Sequence, residues 1–134
     1  MNSFADSLDA AVVRCKNPVL VGIDPRADML PPTLAPANPK DRQQTAEAYQ
    51  KFSCEIIDAV ASLVPAIKPQ AAFFEELGPA GMTALAHVIR YAQQQGLLVI
   101  VDGKRNDIGS TAMAYARGFL GRQSAWGADA LTVQ

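Results

Sequence analysis

The chain has 134 residues, 49% of them hydrophobic and 19% charged, a balance that allows one globular domain with a sizeable core. A formal net charge of −1 and a pI near 5.7 supply neither the basic stripe of a nucleic-acid binder nor a cationic face for a membrane. No apolar run approaches the ~18 residues of a membrane span. The two cysteines, Cys15 and Cys54, form no C-x-x-C pair, so reduced thiols in a cytoplasm are the simpler expectation than a disulfide or zinc framework.

The N-terminal stretch "MNSFADSLDAAVV" lacks the basic segment of a signal peptide. Ser3 and Asp6 have the spacing of a capping box, and Phe4, Leu8, Ala11 and Val12 repeat at helical intervals. Residues 1–17 are therefore expected to form a helix that covers one end of a core. "PVLVGID" (18–24) is a short apolar run ending in an acid, and predicts a buried strand. Residues 25–39, "PRADMLPPTLAPANP", hold five of the nine prolines and favour neither helix nor central strand. A stiff loop directly after a strand is a common place for function.

Asn38-Pro39 resembles an N-cap followed by a first-turn proline. Tyr49, Phe52, Ile56, Val60 and Leu63 then predict an amphipathic helix to about residue 63, with Cys54 as packing material. "PAIKPQAAFF" (65–74) holds a second strand that carries Lys68. "GPAGMTALAHVIRYAQQQG" (78–96) predicts a helix with Met82, Leu85, Ala86 and Ile89 inward and Gly96 as its stop. "LLVIVD" is the third strand, "DIGSTAMAYARGFLGRQ" opens another helix, and "ADALTV" (128–133) is a fourth strand. Trp126, just before it, is expected to pack at the helix-to-strand junction.

The order β-α-β-α-β-α-β, with near-continuous apolar strands, is that of a parallel sheet covered by helices. An open doubly wound sheet and a (β/α)8 barrel both fit it. Both gather functional groups at the carboxyl ends of strands, where Asp24, Lys68 and Asp102 fall. Neither G-x-G-x-x-G nor a P-loop occurs, and His87, the one histidine, lies mid-helix beside the apolar stripe. What remains is a set of carboxylates and lysines. Asp102 and Lys104 share a face if strand conformation continues through Gly103, and Asp107 follows one loop further on. A structural ion pair at a strand end is the plain alternative. Charge gathered at several neighbouring strand ends favours a working site, because a buried charge network is costly unless fully paired.

"DGKRNDIGST" resembles the signature D-x-K-x-x-D-I, with Thr three residues after the Ile, of the orotidine 5′-phosphate decarboxylase family. Here the matching residues are Asp102, Lys104, Asp107, Ile108 and Thr111. "VGIDPR" is similar to that family's first-strand motif, with Asp24, and "IKPQAAFFE" to the second-strand motif of its longer bacterial branch, with Lys68. The three motifs occur in order across the chain. Asn106 stands where that branch is expected to have Gly, and Asn tolerates a left-handed backbone.

The resemblance implies a (β/α)8 barrel that converts orotidine 5′-monophosphate to uridine 5′-monophosphate and CO2 in pyrimidine nucleotide synthesis, without metal or organic cofactor. It implies that Lys104 balances developing charge and delivers a proton, and that Asp102 lies against the departing carboxylate. Asp24 and Lys68 would hold the ribose, Lys68 also extending the charge array. Asp107, Ile108 and Thr111 would enter the site of the other subunit of a homodimer. A barrel needs about 250 residues, so residues 1–134 are expected to be the N-terminal half of one barrel domain, roughly its first four β/α units, without the late phosphate-binding loops. The rival expectations are a Mg2+-dependent sugar-phosphate decarboxylase or epimerase of the same barrel type, a Schiff-base aldolase using Lys68 or Lys104, and a non-catalytic half-barrel.

Overall fold

The computed structural model describes residues 3–134, so Met1 and Asn2 of the expected N-terminal helix lie outside it. Helix α1 (Phe4–Cys15) starts at the expected box. The Ser3 hydroxyl accepts from the Asp6 N–H, and the Asp6 carboxylate accepts from the Ser3 N–H. The helix closes at Lys16, whose left-handed φ of 53° lets the Asn17 N–H reach back to the Val12 carbonyl. Ala11 is its buried residue, flanked by half-buried Phe4, Leu8 and Val12.

The strands β1 (Val21–Ile23), β2 (Ala66–Pro69), β3 (Leu98–Val101) and β4 (Ala130–Leu131) are parallel and lie side by side in chain order. Helices α2 (Arg42–Val60), α4 (Pro79–Gln94) and α5 (Gly109–Phe119) make the crossovers, and a short helix α3 (Ala71–Glu75) follows β2. A doubly wound sheet reverses its strand order at a switch point. This order never reverses, as in the wall of a barrel.

Register separates two faces. Gly22, Lys68, Ile100 and Ala130 align across the sheet, and Gln70 pairs with Asp102 beyond the strands. By the two-residue period these side chains share the inner face of the wall with Asp24 and Thr132. On the other face Ile67, Val99 and Val101 are completely buried against Ile57 of α2 and Leu85, Val88 and Ile89 of α4. Each such side chain contributes roughly 1.5–3 kcal/mol by leaving water. Tyr49 of α2 meets Phe74 of α3 edge-on at 6.1 Å, and its hydroxyl accepts from the Ala27 N–H, which ties the proline-rich loop to the core.

Several expectations change. Helix α2 is capped by Asp41, whose carboxylate accepts from the Gln43 and Gln44 N–H groups, and not by Asn38. Asn38 instead accepts from the Lys40 N–H in a turn that leads into the cap. The same helix ends at Val60, and Leu63 is 58% exposed rather than inward. Its buried stripe runs through Thr45, Ala46, Tyr49, Ser53 and Ile57, with Phe52 and Ile56 at its margin. Ser53 fits there because its hydroxyl donates to the Tyr49 carbonyl at 2.6 Å. β1 is shorter than residues 18–24, leaving Pro18, Val19 and Leu20 exposed. The proline-rich loop contains one 3-10 turn, Ala27–Met29.

Candidate active site

Asp102 is the centre of the charge cluster and is only 6% exposed. Its backbone extends the β2–β3 ladder by one step: its N–H donates to the Pro69 carbonyl at 3.0 Å, and its own carbonyl accepts from the Ala71 N–H at 3.1 Å. The carboxylate is thereby held at the mouth of the sheet. Its Oδ2 accepts from Lys68 Nζ at 2.5 Å. Its Oδ1 accepts from the Thr132 hydroxyl at 2.9 Å and from Lys104 Nζ. Burial by itself pushes this carboxyl up, but the bonds from Lys104, Lys68 and Thr132 outweigh it and hold the group well below the usual carboxylate range. Two ammonium groups around one carboxylate also offset the several kcal/mol that burying a lone anion costs.

Lys104 reaches Asp102 by a route different from the expected one. β3 stops at Val101, and Lys104 has a left-handed φ of 46°, so the two residues do not share a strand face. A tight turn folds the side chain back. That conformation costs a non-glycine residue roughly 1–2 kcal/mol, and Thr132, just after β4, holds it. The Lys104 N–H donates to the Thr132 hydroxyl at 3.0 Å, and the Arg105 N–H donates to the Thr132 carbonyl at 3.1 Å. Arg105 anchors the turn on its outer side. It pairs with Glu75 and lies over the rings of Tyr115 and Phe119 at 6.0 and 5.7 Å. The left-handed residue of this loop is Lys104; Asn106, the expected candidate, has no positive φ.

The structure brings Lys68, Asp102 and Lys104 together and leaves the other expected residues apart from them. Asp24 ends β1 on the same rim, exposed, and makes no ion pair among the described residues. Asp107 is exposed, its Oδ1 accepting from the Ile108 N–H at 2.8 Å, so it does not flank Lys104 as an ion-pair partner. Ile108 is 87% exposed, and Thr111 faces solvent on the first turns of α5. Only Phe119 is buried along that whole helix.

Thr132 is the residue that sequence reasoning missed. A hydroxyl in "ADALTV" carries no chemical signature, and only the pairing of Val101 with Leu131 puts it opposite Asp102. His87 is exposed and stacks on Tyr91, away from the rim. Among the described residues no three His, Cys, Asp or Glu side chains are gathered as for a metal ion. A hollow of about 900 Å³ lies near the start of β3, lined by Ser7, Arg14, Leu98, Arg122 and Asp129, and contains none of the charge cluster. It lies at the amino end of the strands, away from the charged rim. Among the described residues no helix is long and apolar enough to cross a membrane.

A consecutive parallel wall with a lysine–carboxylate–lysine array on its carboxyl rim defines an α/β-barrel protein with a charged site at its mouth. The chain belongs to the family described as orotidine 5′-phosphate decarboxylase / HUMPS, whose model matches residues 18–134. It is 56% identical to an orotidine 5′-phosphate decarboxylase of Rhodopirellula baltica, over 99% of this chain and 46% of that protein. It is 42% identical to one of Roseiflexus castenholzii, over 98% of this chain and 43% of that protein. Among solved structures, Leishmania donovani OMP decarboxylase superposes with a TM-score of 0.73 at 32% identity, covering 98% of this chain and 44% of that one. The chain thus spans less than half the length of these three relatives, and its four strands are the first half of their barrel.

Proposed function

We propose that residues 1–134 are the N-terminal half of a barrel that decarboxylates orotidine 5′-monophosphate to uridine 5′-monophosphate, working in the cytoplasm as a homodimer without metal or organic cofactor. The observation that carries this reading is the buried Asp102 carboxylate held between the ammonium groups of Lys68 and Lys104 on an open rim. Family membership and the named relatives support it.

The reaction breaks the bond between a ring carbon and its carboxylate. CO2 leaves, and the electron pair stays on a carbon with no attached electron sink. Fixed positive charge beside that carbon is the available stabiliser. Lys104 suits this task, because its side chain is 52% exposed whereas Asp102 is 8% and Lys68 30% exposed. Its ammonium stabilises the developing carbanion and then donates the proton that forms the new C–H bond, later regaining one from solvent. Asp102 fixes that ammonium and presents negative charge to the departing carboxylate. Lys68 neutralises the far carboxylate oxygen and, with Asp24 on the neighbouring strand end, binds ribose hydroxyls.

Asp107, Ile108 and Thr111 act in the partner's site. This part of the reading is supported by an exposed apolar Ile108 at the head of a helix with one buried residue, an arrangement that suits a covering surface. The sugar-phosphate rival requires a divalent cation, and the aldolase rival requires a free amine, which suits neither lysine paired to Asp102.

The test is the ultraviolet absorbance of orotidine 5′-monophosphate mixed with a full-length protein containing this chain, in buffer with a chelator. A fall in absorbance with release of one CO2 per nucleotide is expected. An unchanged nucleotide absorbance, with CO2 released instead from a sugar-phosphate acid once Mg2+ is restored, would move the assignment to the sugar-phosphate class.

A further inference from the structure

Three bonds converge on Thr132, where β4 gives way to the rim. Its hydroxyl donates to Asp102 Oδ1 at 2.9 Å and accepts from the Lys104 N–H at 3.0 Å, while its carbonyl accepts from the Arg105 N–H at 3.1 Å. A hydroxyl has one proton and two lone pairs. Once the proton is committed to the carboxylate, the oxygen is free to accept the amide, so one atom links the two charged residues in a fixed sense.

Such a link is needed because the ion pair alone is a poor positioner. Lys104 has a flexible four-carbon stem and a half-exposed side chain, and exposed ammonium–carboxylate pairs hold geometry weakly. Its backbone is what narrows the choice. Only two described non-glycine residues have positive φ: Lys16, at the end of a helix, and Lys104. Strained backbones of this kind persist where their surroundings over-determine them. At Lys104 those surroundings are the hydroxyl and carbonyl of Thr132.

We propose that Thr132 is a positioning residue: it clasps the Lys104 turn to the Asp102 carboxylate, so that the Lys104 ammonium stands where the reacting carbon arrives. The inference rests on the decarboxylase reading above, and its test separates the two. Thr132→Val keeps shape and loses the hydroxyl; Thr132→Ser keeps the hydroxyl. Thr132→Ala removes the same group and serves should the valine variant not fold.

In a full-length protein, Thr132→Val is expected to lower kcat on the order of 100-fold, the size of a displacement of about 1 Å at a reacting group. KM should change by less than about three-fold, since ribose and phosphate contacts are untouched. Thr132→Ser should restore most of kcat. In a crystal structure of Thr132→Val, Lys104 should leave the left-handed region and its ammonium should move off Asp102. A valine variant with the parent kcat, a serine variant as impaired as valine, or an unchanged Lys104 turn in the crystal each overturn the proposal. A parent protein that leaves orotidine 5′-monophosphate intact overturns the decarboxylase reading instead, and the crystal structure of Thr132→Val still decides the clasp.

Discussion

Lys104 carries two demands at once, a strained backbone and an accessible ammonium, and its removal is the most direct probe of the proposed chemistry. In a full-length protein Lys104→Ala should lower kcat at least about a thousand-fold, because one change deletes both the stabilising charge and the proton donor. Nucleotide binding measured by calorimetry should survive. A loss confined to KM would assign Lys104 to binding alone. Asp102 makes a separate prediction about acid stability. Its carboxyl is held below the usual range in the folded state, so the unfolded chain binds the extra proton more readily. Its contribution is therefore complete above the ordinary carboxylate value near ~4 and is lost as pH falls from there toward the depressed folded value. Denaturant melts between pH 5 and pH 3 should show this as a slope approaching about 1.4 kcal/mol per pH unit below that value. In Asp102→Asn that part of the slope should vanish, and an unchanged slope would mean that other carboxylates govern acid unfolding.

At the scale of elements, the packing of α3 against α4 depends on a missing side chain. A Cβ at Gly81 would stand 1.9 Å from the Phe74 carbonyl oxygen and 2.8 Å from the Leu77 side chain, with backbone on one side that cannot yield. Gly81→Ala should destabilise by about 1–3 kcal/mol or more. Gly118→Ala, in α5 with nothing within 4 Å, should be neutral or stabilise by up to about 1 kcal/mol. Urea midpoints of the two variants in a full-length protein check the contrast; equal midpoints would contradict it. The elements themselves were largely legible, since four apolar runs and the helical stripes of α1 and α4 follow from periodicity alone. Boundaries were not. Asn38-Pro39 is the start that the sequence suggests, and only the structure, in which Asp41 Oδ1 accepts from the Gln43 and Gln44 N–H groups, places the cap three residues later. Within the rim, Lys68 and Asp102 were readable as strand-end charges, whereas Thr132 and the folded-back course of Lys104 depend on register between strands far apart in sequence.

For the whole molecule, the proposed shared site can be tested by subunit exchange. Full-length Lys104→Ala and Asp107→Ala proteins should each be inactive and should rescue each other when mixed. A mixed dimer carries both lesions in one site and neither in the other. Random pairing makes half the dimers mixed, so about a quarter of all sites should recover, as two-fold symmetry requires. No recovery, with exchange verified by native mass spectrometry, would leave Asp107 serving its own subunit. The exposed position of Asp107, Ile108 and Thr111 on one protomer is the feature that this experiment interrogates.

The stacking of Phe119 on Trp126 at 5.6 Å has a practical use. Trp126 is the one tryptophan of the chain, and the guanidinium of Arg105, directly after Lys104, lies over the other aromatic of the pair. Indole emission is sensitive to nearby charge, so the chain carries its own fluorophore beside the turn that bears Lys104. A ligand that shifts this turn and carries Arg105 off Phe119 is expected to alter the light emitted from Trp126. Occupation of the rim should then be measurable by a titration of Trp126 emission, without label or turnover, in a Lys104→Ala protein; emission unchanged at saturating uridine 5′-monophosphate would contradict the coupling.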